Sequence, residues 1–158
     1  GLIKKLRAVC PDIALSTDII VGFPGETEED FRQTYDLVRE VGYNQVFTFI
    51  YSKREGTPAA KLEDDTPREV IQERFDRLVQ LVQDRAYELN QADRDTVVKV
   101  LVEGGSKRDE TILTGKSPKN QTVHMRLPQG SCVDDFVGTI VEARIDEART
   151  WYLSGTLI

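Results

Sequence analysis

Apolar residues change their spacing several times along this chain, and each change marks a different kind of element. Residues 2–9 put Leu2, Ile3, Leu6 and Val9 on one helical face, and Pro11 stops that helix. "IALSTDIIVGF" reads as a strand. Its continuous run Ile19, Ile20, Val21 suits a strand buried on both faces of a parallel sheet. A helix is expected from Thr27, with Asp30 three residues on as a short-armed capping box. Its core face is Phe31, Tyr35, Val38 and Val41, and Gly42 ends it. "QVFTFIYS" is a second buried strand, so the order strand, helix, strand predicts a parallel βαβ unit.

"YSKREGTPAAKLEDD" reads as a loop. Thr66 as N-cap, Pro67 at the first helical position and Glu69 then predict a long helix over 67–90. Ile71, Phe75, Leu78, Val82, Ala86 and Leu89 form one stripe along it, which must pack against something. Near residue 93 the period shortens. "TVVKVLVEG", "ETILTGKS", "QTVHMRL", "VGTIVEARIDEA" and "TWYLSGTLI" are five short strands separated by Gly, Asn, Pro and Ser, the pattern of a small barrel. The expected division is 1–92 and 93–158.

Composition adds limits. The 158 residues are 39% hydrophobic and 30% charged, as in a globular protein, and no apolar run reaches membrane-spanning length. No signal-peptide pattern is present, so a cytoplasmic protein without membrane partners is expected. Cys10 and Cys132 lie far apart and His124 is the only histidine, so neither a disulfide framework nor a metal site is expected. The chain opens on Gly1 inside a helical pattern, which leads us to expect a piece of a longer protein.

Candidate chemistry sits in two places. Gly22 and Gly25 lie where a strand meets a helix, an end of an α/β sheet where ligands bind. "GFPG" is neither a dinucleotide fingerprint nor a P-loop, and a tight turn stiffened by Pro24 explains it equally well. Tyr51, Ser52 and Arg54 end the second strand on the same side. No nucleophile, base and orienting group fall together, so the residues support a binding site and no catalytic residue. The second place is 107–126, with 5 basic and 2 acidic residues in a chain of net charge −6. Lys107, Arg108, Lys116, Lys119 and Arg126 have the charge to neutralise phosphates. Asn120, Gln121 and His124 suit base edges or sugars. A solvated hairpin is the plainer reading of the charges. Trp151 and Tyr152 are stacking candidates for RNA, although a tryptophan in a barrel this small is more often core.

"STDIIVGFPGETEEDF", "FTFIYSKREGTPAAKL", "ERFDRLVQLVQDRAYELNQ" and "VLVEGGSKRDETILTGKSPKNQTVHM" occur in that order. Together they resemble the carboxyl-terminal part of the radical S-adenosylmethionine (SAM) methylthiotransferases, over essentially the whole chain. The last block leans towards members that act on tRNA. The resemblance implies an α/β plus all-β fold: βα units closing a partial TIM-type barrel, the long helix, then an OB-like antiparallel β-barrel called TRAM. It implies a parent enzyme that methylthiolates an adenosine beside the anticodon, using SAM and two [4Fe–4S] clusters. It assigns Ile20, Gly22, Phe23, Pro24, Gly25, Tyr51, Ser52 and Arg54 to SAM. It assigns Lys107, Arg108, Lys116, Asn120 and Arg126 to the tRNA anticodon stem-loop.

Two features depart from the family. The CxxxCxxC motif and the three further cluster cysteines are missing from these residues, so this piece alone is expected to hold no cluster and to be inactive. Asp18 stands where the family's GxIxGxxE pattern has glycine. Two strands alone would leave an open sheet, so self-association or exchange of elements is expected. The rival from another class is a free-standing RNA-binding adaptor whose α/β part is only scaffold.

Overall fold

Thr27 and Asp30 form the expected capping box. The Asp30 amide donates to Thr27 Oγ1 at 3.2 Å, and the Thr27 amide donates to Asp30 Oδ2 at 3.0 Å. These contacts come from a computed structural model that describes residues 1–63 and 66–158. The last two residues of the expected loop, 64 and 65, lie outside the described residues. The chain divides into two units, Gly1–Arg85 and Ala86–Ile158.

The first unit holds α1 (Leu2–Val9), β1 (Ser16–Val21), α2 (Glu28–Val41), β2 (Gln45–Ile50) and most of α3 (Arg68–Gln91). β1 and β2 pair in parallel, with Ser16 opposite Gln45 and Val21 opposite Ile50, so the βαβ unit is present. Gly42 ends α2 in the left-handed conformation, and its amide donates to the Val38 carbonyl. Phe31 and Val38 of α2 pack with Val21 of β1 and with Leu78, Leu81 and Val82 of α3. Arg7 ties α1 to the end of α2 by donating to the Val41 carbonyl at 2.6 Å.

β1 and β2 depart from the expectation of burial on both faces. Ile20 is 53% exposed, and Phe47 and Phe49 beside it are about half exposed. Helices cover the side of the sheet that carries Val21, and Asp18, Ile20, Phe47 and Phe49 occupy the uncovered side. The apolar face read on α1 is also open: no residue of that helix is buried.

The second unit is a closed barrel of β3 (Val97–Gly105), β4 (Ile112–Lys116), β5 (Thr122–Arg126), β6 (Ile140–Ala148) and β7 (Tyr152–Leu157), in the order β3-β4-β5-β7-β6. All five strands read from the sequence are there. One pair corrects the antiparallel expectation: β5 and β7 run parallel. Closing five strands in this order brings together two strands that are not neighbours in sequence, and the chain must cross over to do so. Val100, Val102, Leu113, Val123, Met125, Ala143, Ile145 and Leu153 fill the core, so every second residue of each strand faces outward.

Candidate functional site

The strand exit at Gly22 is held by its own chain. Gly22 adopts φ +75°, and a Cβ there would lie 2.6 Å from the Ile71 methyl of α3. Its amide donates to Glu26 Oε2 at 2.7 Å. Arg74 of α3, only 5% exposed, donates to the Glu26 carbonyl at 3.0 Å and to Glu28 Oε2 at 2.9 Å. Arg77 also donates to Glu28 at 2.9 Å, and its guanidinium lies 4.9 Å from the centre of the Phe31 ring. Hydrogen bonds from Arg77 and then Arg74 hold the Glu28 carboxyl below its ordinary value. The acidic run after Gly25 therefore locks α2 onto α3, which the sequence reading did not see. Arg74→Ala is expected to destabilise this unit by roughly 3 kcal/mol, because it leaves Glu26 buried beside a missing cation. Urea unfolding followed by circular dichroism measures it; a loss under about 1 kcal/mol would count against this account of the lock.

Beside this lock, a cleft of about 480 Å³ opens at the carboxyl ends of β1 and β2. It gathers four of the expected SAM residues, Ile20, Tyr51, Ser52 and Arg54, together with Asp18, Phe49 and Thr57. Phe23 touches Tyr51 edge to face at 5.2 Å. Gly22, Pro24 and Gly25 do not line the cleft. The Tyr51 hydroxyl oxygen is buried and has no hydrogen-bond partner among the described residues. Asp18 and Arg54 offer one charge of each sign, and Ile20 and Phe49 offer an apolar wall. This donor set fits a zwitterionic nucleoside such as SAM: opposite charges for the amino-acid end, an apolar wall for the base, and an orphan hydroxyl.

The barrel builds its site by register. Across β4, β5 and β7, Lys116 pairs with Thr122 and Thr122 with Tyr152; Thr114 pairs with His124 and His124 with Ser154; Ile112 pairs with Arg126. All of these alternate with buried core positions and so share the outer face. Lys116 Nζ donates to Thr122 Oγ1 at 3.0 Å. His124 Nδ1 lies 3.3 Å from Thr114 Oγ1, and its ring meets Tyr152 edge to face at 5.1 Å. The β3–β4 loop adds Ser106, Lys107 and Arg108, closing a groove of about 620 Å³ with Ile112, His124, Tyr152 and Ser154. Arg126 stands near Asp109, whose carboxyl is held below its ordinary value mainly by hydrogen bonds from Thr111.

Lys119 and Gln121, both expected at RNA, are placed elsewhere. Lys119 Nζ is 2.7 Å from Asp93 Oδ1, and Gln121 Nε2 donates to Asp93 Oδ2 at 2.7 Å and to Asn90 Oδ1 at 3.0 Å. Asn90 donates in turn to the Arg149 and Thr150 carbonyls. The Lys119 ammonium is thus engaged inside a latch joining the end of α3 to two barrel loops, and this accounts for it without RNA. Asn120 has φ +61° in the β4–β5 turn, a conformation asparagine tolerates, so its identity follows from the turn. Trp151 is not core: it is 59% exposed.

The barrel also matches a known domain family. Residues 93–158 match the TRAM domain. Across its whole length the chain is similar to tRNA-2-methylthio-N(6)-dimethylallyladenosine synthases. It is 48% identical over 156 residues to that of Geobacillus thermodenitrificans, which covers 99% of this chain and 29% of the relative. It is 46% identical over 158 residues to that of Carboxydothermus hydrogenoformans, covering all of this chain and 35% of the relative. The resemblance read from the sequence holds, and the chain spans about a third of the length of these curated relatives. Among the described residues, no helix is long and apolar enough to cross a membrane.

Burial pushes the His124 imidazole below its ordinary value of 6.5. A base whose pKa falls on folding costs nothing above its unfolded value and withdraws stability as pH drops below it. The barrel's stability is therefore expected to fall between pH 7 and pH 5 (about the reach of an imidazole titration). His124→Gln should flatten that fall in thermal melts. An unchanged pH dependence in the variant would contradict the assignment to His124.

Proposed function

We propose that the chain is part of a radical SAM methylthiotransferase acting on an adenosine beside the tRNA anticodon. In this reading residues 1–92 close a partial TIM-type barrel, and residues 93–158 hold the tRNA. The observation that carries it is continuity: one similarity to the named synthases runs through 99–100% of the chain, across both units. The open face of β1 and β2 is consistent with strands taken from a larger sheet.

The roles then follow from the residues. Ile20 and Phe49 would lie against the adenine of SAM, Asp18 and Arg54 would take its ammonium and carboxylate, and Tyr51 would hydrogen-bond to it. When bound, SAM supplies the radical chemistry of the family. On the TRAM domain, Lys107, Arg108, Lys116 and Arg126 would meet phosphates of the anticodon stem-loop, with Asn120 at the edge.

Binding of a labelled anticodon stem-loop, followed by fluorescence anisotropy, tests the RNA half. Binding at low salt that weakens as salt rises is expected, because phosphate contacts release counterions. No binding at low salt would overturn it. For the cofactors, we expect this chain alone to bind no stoichiometric iron–sulfur after anaerobic reconstitution, since Cys10 and Cys132 are its only cysteines. An iron assay showing one cluster per chain would contradict this.

A further inference from the structure

We propose that the groove between the β3–β4 loop and the outer face of β4, β5 and β7 holds one unpaired RNA base on the Tyr152 ring, with Lys107 and Arg108 on the adjoining phosphates. This rests on the reading of the TRAM domain as an RNA-binding unit and names what part of the RNA one patch takes.

Three observations converge on it. The first is charge. The chain carries a net −6, yet among the described residues the groove is lined by two cations and no carboxylate. Neither Lys107 nor Arg108 has a carboxylate partner among the described residues, so both charges are available to an anion. The second is the ring pair. His124 meets Tyr152 at an interplanar angle of 69°, and Tyr152 keeps 37% of its surface open. An edge-to-face contact fixes one ring while leaving the other a flat surface to offer. The third is the polar lining. The Ser106 and Ser154 hydroxyls border the same groove, within reach of the exocyclic groups of a base or the 2′-hydroxyl of a ribose.

A duplex does not use this combination, because its bases are stacked and present no free face. An acidic peptide would use the cations but leave the ring and the hydroxyls unemployed. An unpaired nucleotide uses all three. Arg126 and Lys116 lie on the same outer face, outside the lining, where neighbouring phosphates would pass.

The test compares two RNAs with the 158-residue chain: an anticodon-type stem-loop and a loop-free duplex of the same length. Trp151, the only tryptophan, lies next to Tyr152 in sequence and gives a second readout by fluorescence. Tyr152→Leu is expected to weaken stem-loop binding by about tenfold, the scale of one lost base–aromatic stack. It should change duplex binding far less and leave the salt dependence as it was. Tyr152→Phe, which keeps the ring, should recover most of the stem-loop affinity, separating the ring's role from any effect on folding. Equal losses on both RNAs, no loss on either, or a Phe variant as weak as the Leu variant would overturn the subsite. If the unaltered chain binds neither RNA, the RNA-binding reading fails and the subsite with it. If it binds both, and Lys107→Ala with Arg108→Ala weakens both while Tyr152→Leu is silent, only the subsite fails.

Discussion

Gly115→Val is expected to unfold the five-stranded barrel under conditions where the unaltered chain is folded. Gly115 sits in β4 opposite Val102 of β3, at a buried position. A Cβ there would run into the Leu101 carbonyl oxygen and come within 2.6 Å of a Val100 methyl. The carbonyl cannot retreat, because Leu101 is held in register with Lys116 on one side and with Ile140 on the other. Overpacking a core usually costs about 1–3 kcal/mol, and a clash with backbone lies at the upper end or beyond. A domain of this size has only about 3–10 kcal/mol in all. Trp151 is the sole tryptophan and belongs to this unit, so its fluorescence during urea unfolding reports the barrel by itself. A variant that melts within a few tenths of a kcal/mol of the original would show that β3 and β4 are not as close as described.

Replacing Lys107, Arg108 and Lys116 together by alanine is expected to reduce affinity for the anticodon stem-loop by one to two orders of magnitude at low salt. The more diagnostic change is in the salt dependence. Each lost phosphate contact should remove about 0.7–0.9 from the slope of log affinity against log salt, so the triple variant should lose roughly 2.1 to 2.7. Lys119→Ala is the comparison. Its ammonium is held 2.7 Å from Asp93, so it should leave the slope alone while loosening the latch with Asn90 and Gln121. A triple variant with the original slope, or a Lys119 variant with a reduced one, would place the RNA contacts elsewhere. Both are read by anisotropy titrations at several salt concentrations.

What the sequence showed and what it hid divide along the range of the interactions. Thr27 with Asp30, Gly42, and the five strands are written in residues a few positions apart, and all are found where the pattern puts them. The Ile19–Val21 run has the composition of a doubly buried strand, but the face with Ile20 is uncovered, because burial depends on what packs there and not on the strand. Lys119 carries the same charge as Lys107. Only the fold brings Asp93, 26 residues away, against one and not the other. Arg74, the partner of Glu26 and Glu28, lies more than 40 positions on, beyond the reach of any local pattern. Gly115 and Gly155 gave no turn signal, since their role is close approach to a neighbouring strand's carbonyl. Trp151 read as core by frequency, yet it is exposed, in the loop just before β7. For the candidate sites, the residue types were legible. Which of them share a cleft or a groove was not.

In our proposal, RNA meets this chain on the outer face of β4, β5 and β7 and on the β3–β4 loop. Titrating the isotope-labelled chain with an anticodon stem-loop and following backbone amide shifts by NMR tests it most directly. The largest shifts are expected at Ser106–Arg108, Lys116, Thr122–Arg126 and Tyr152–Ser154, with little change around Asp93 and Lys119. Shifts concentrated on the latch, or on the first unit with this face silent, would contradict it.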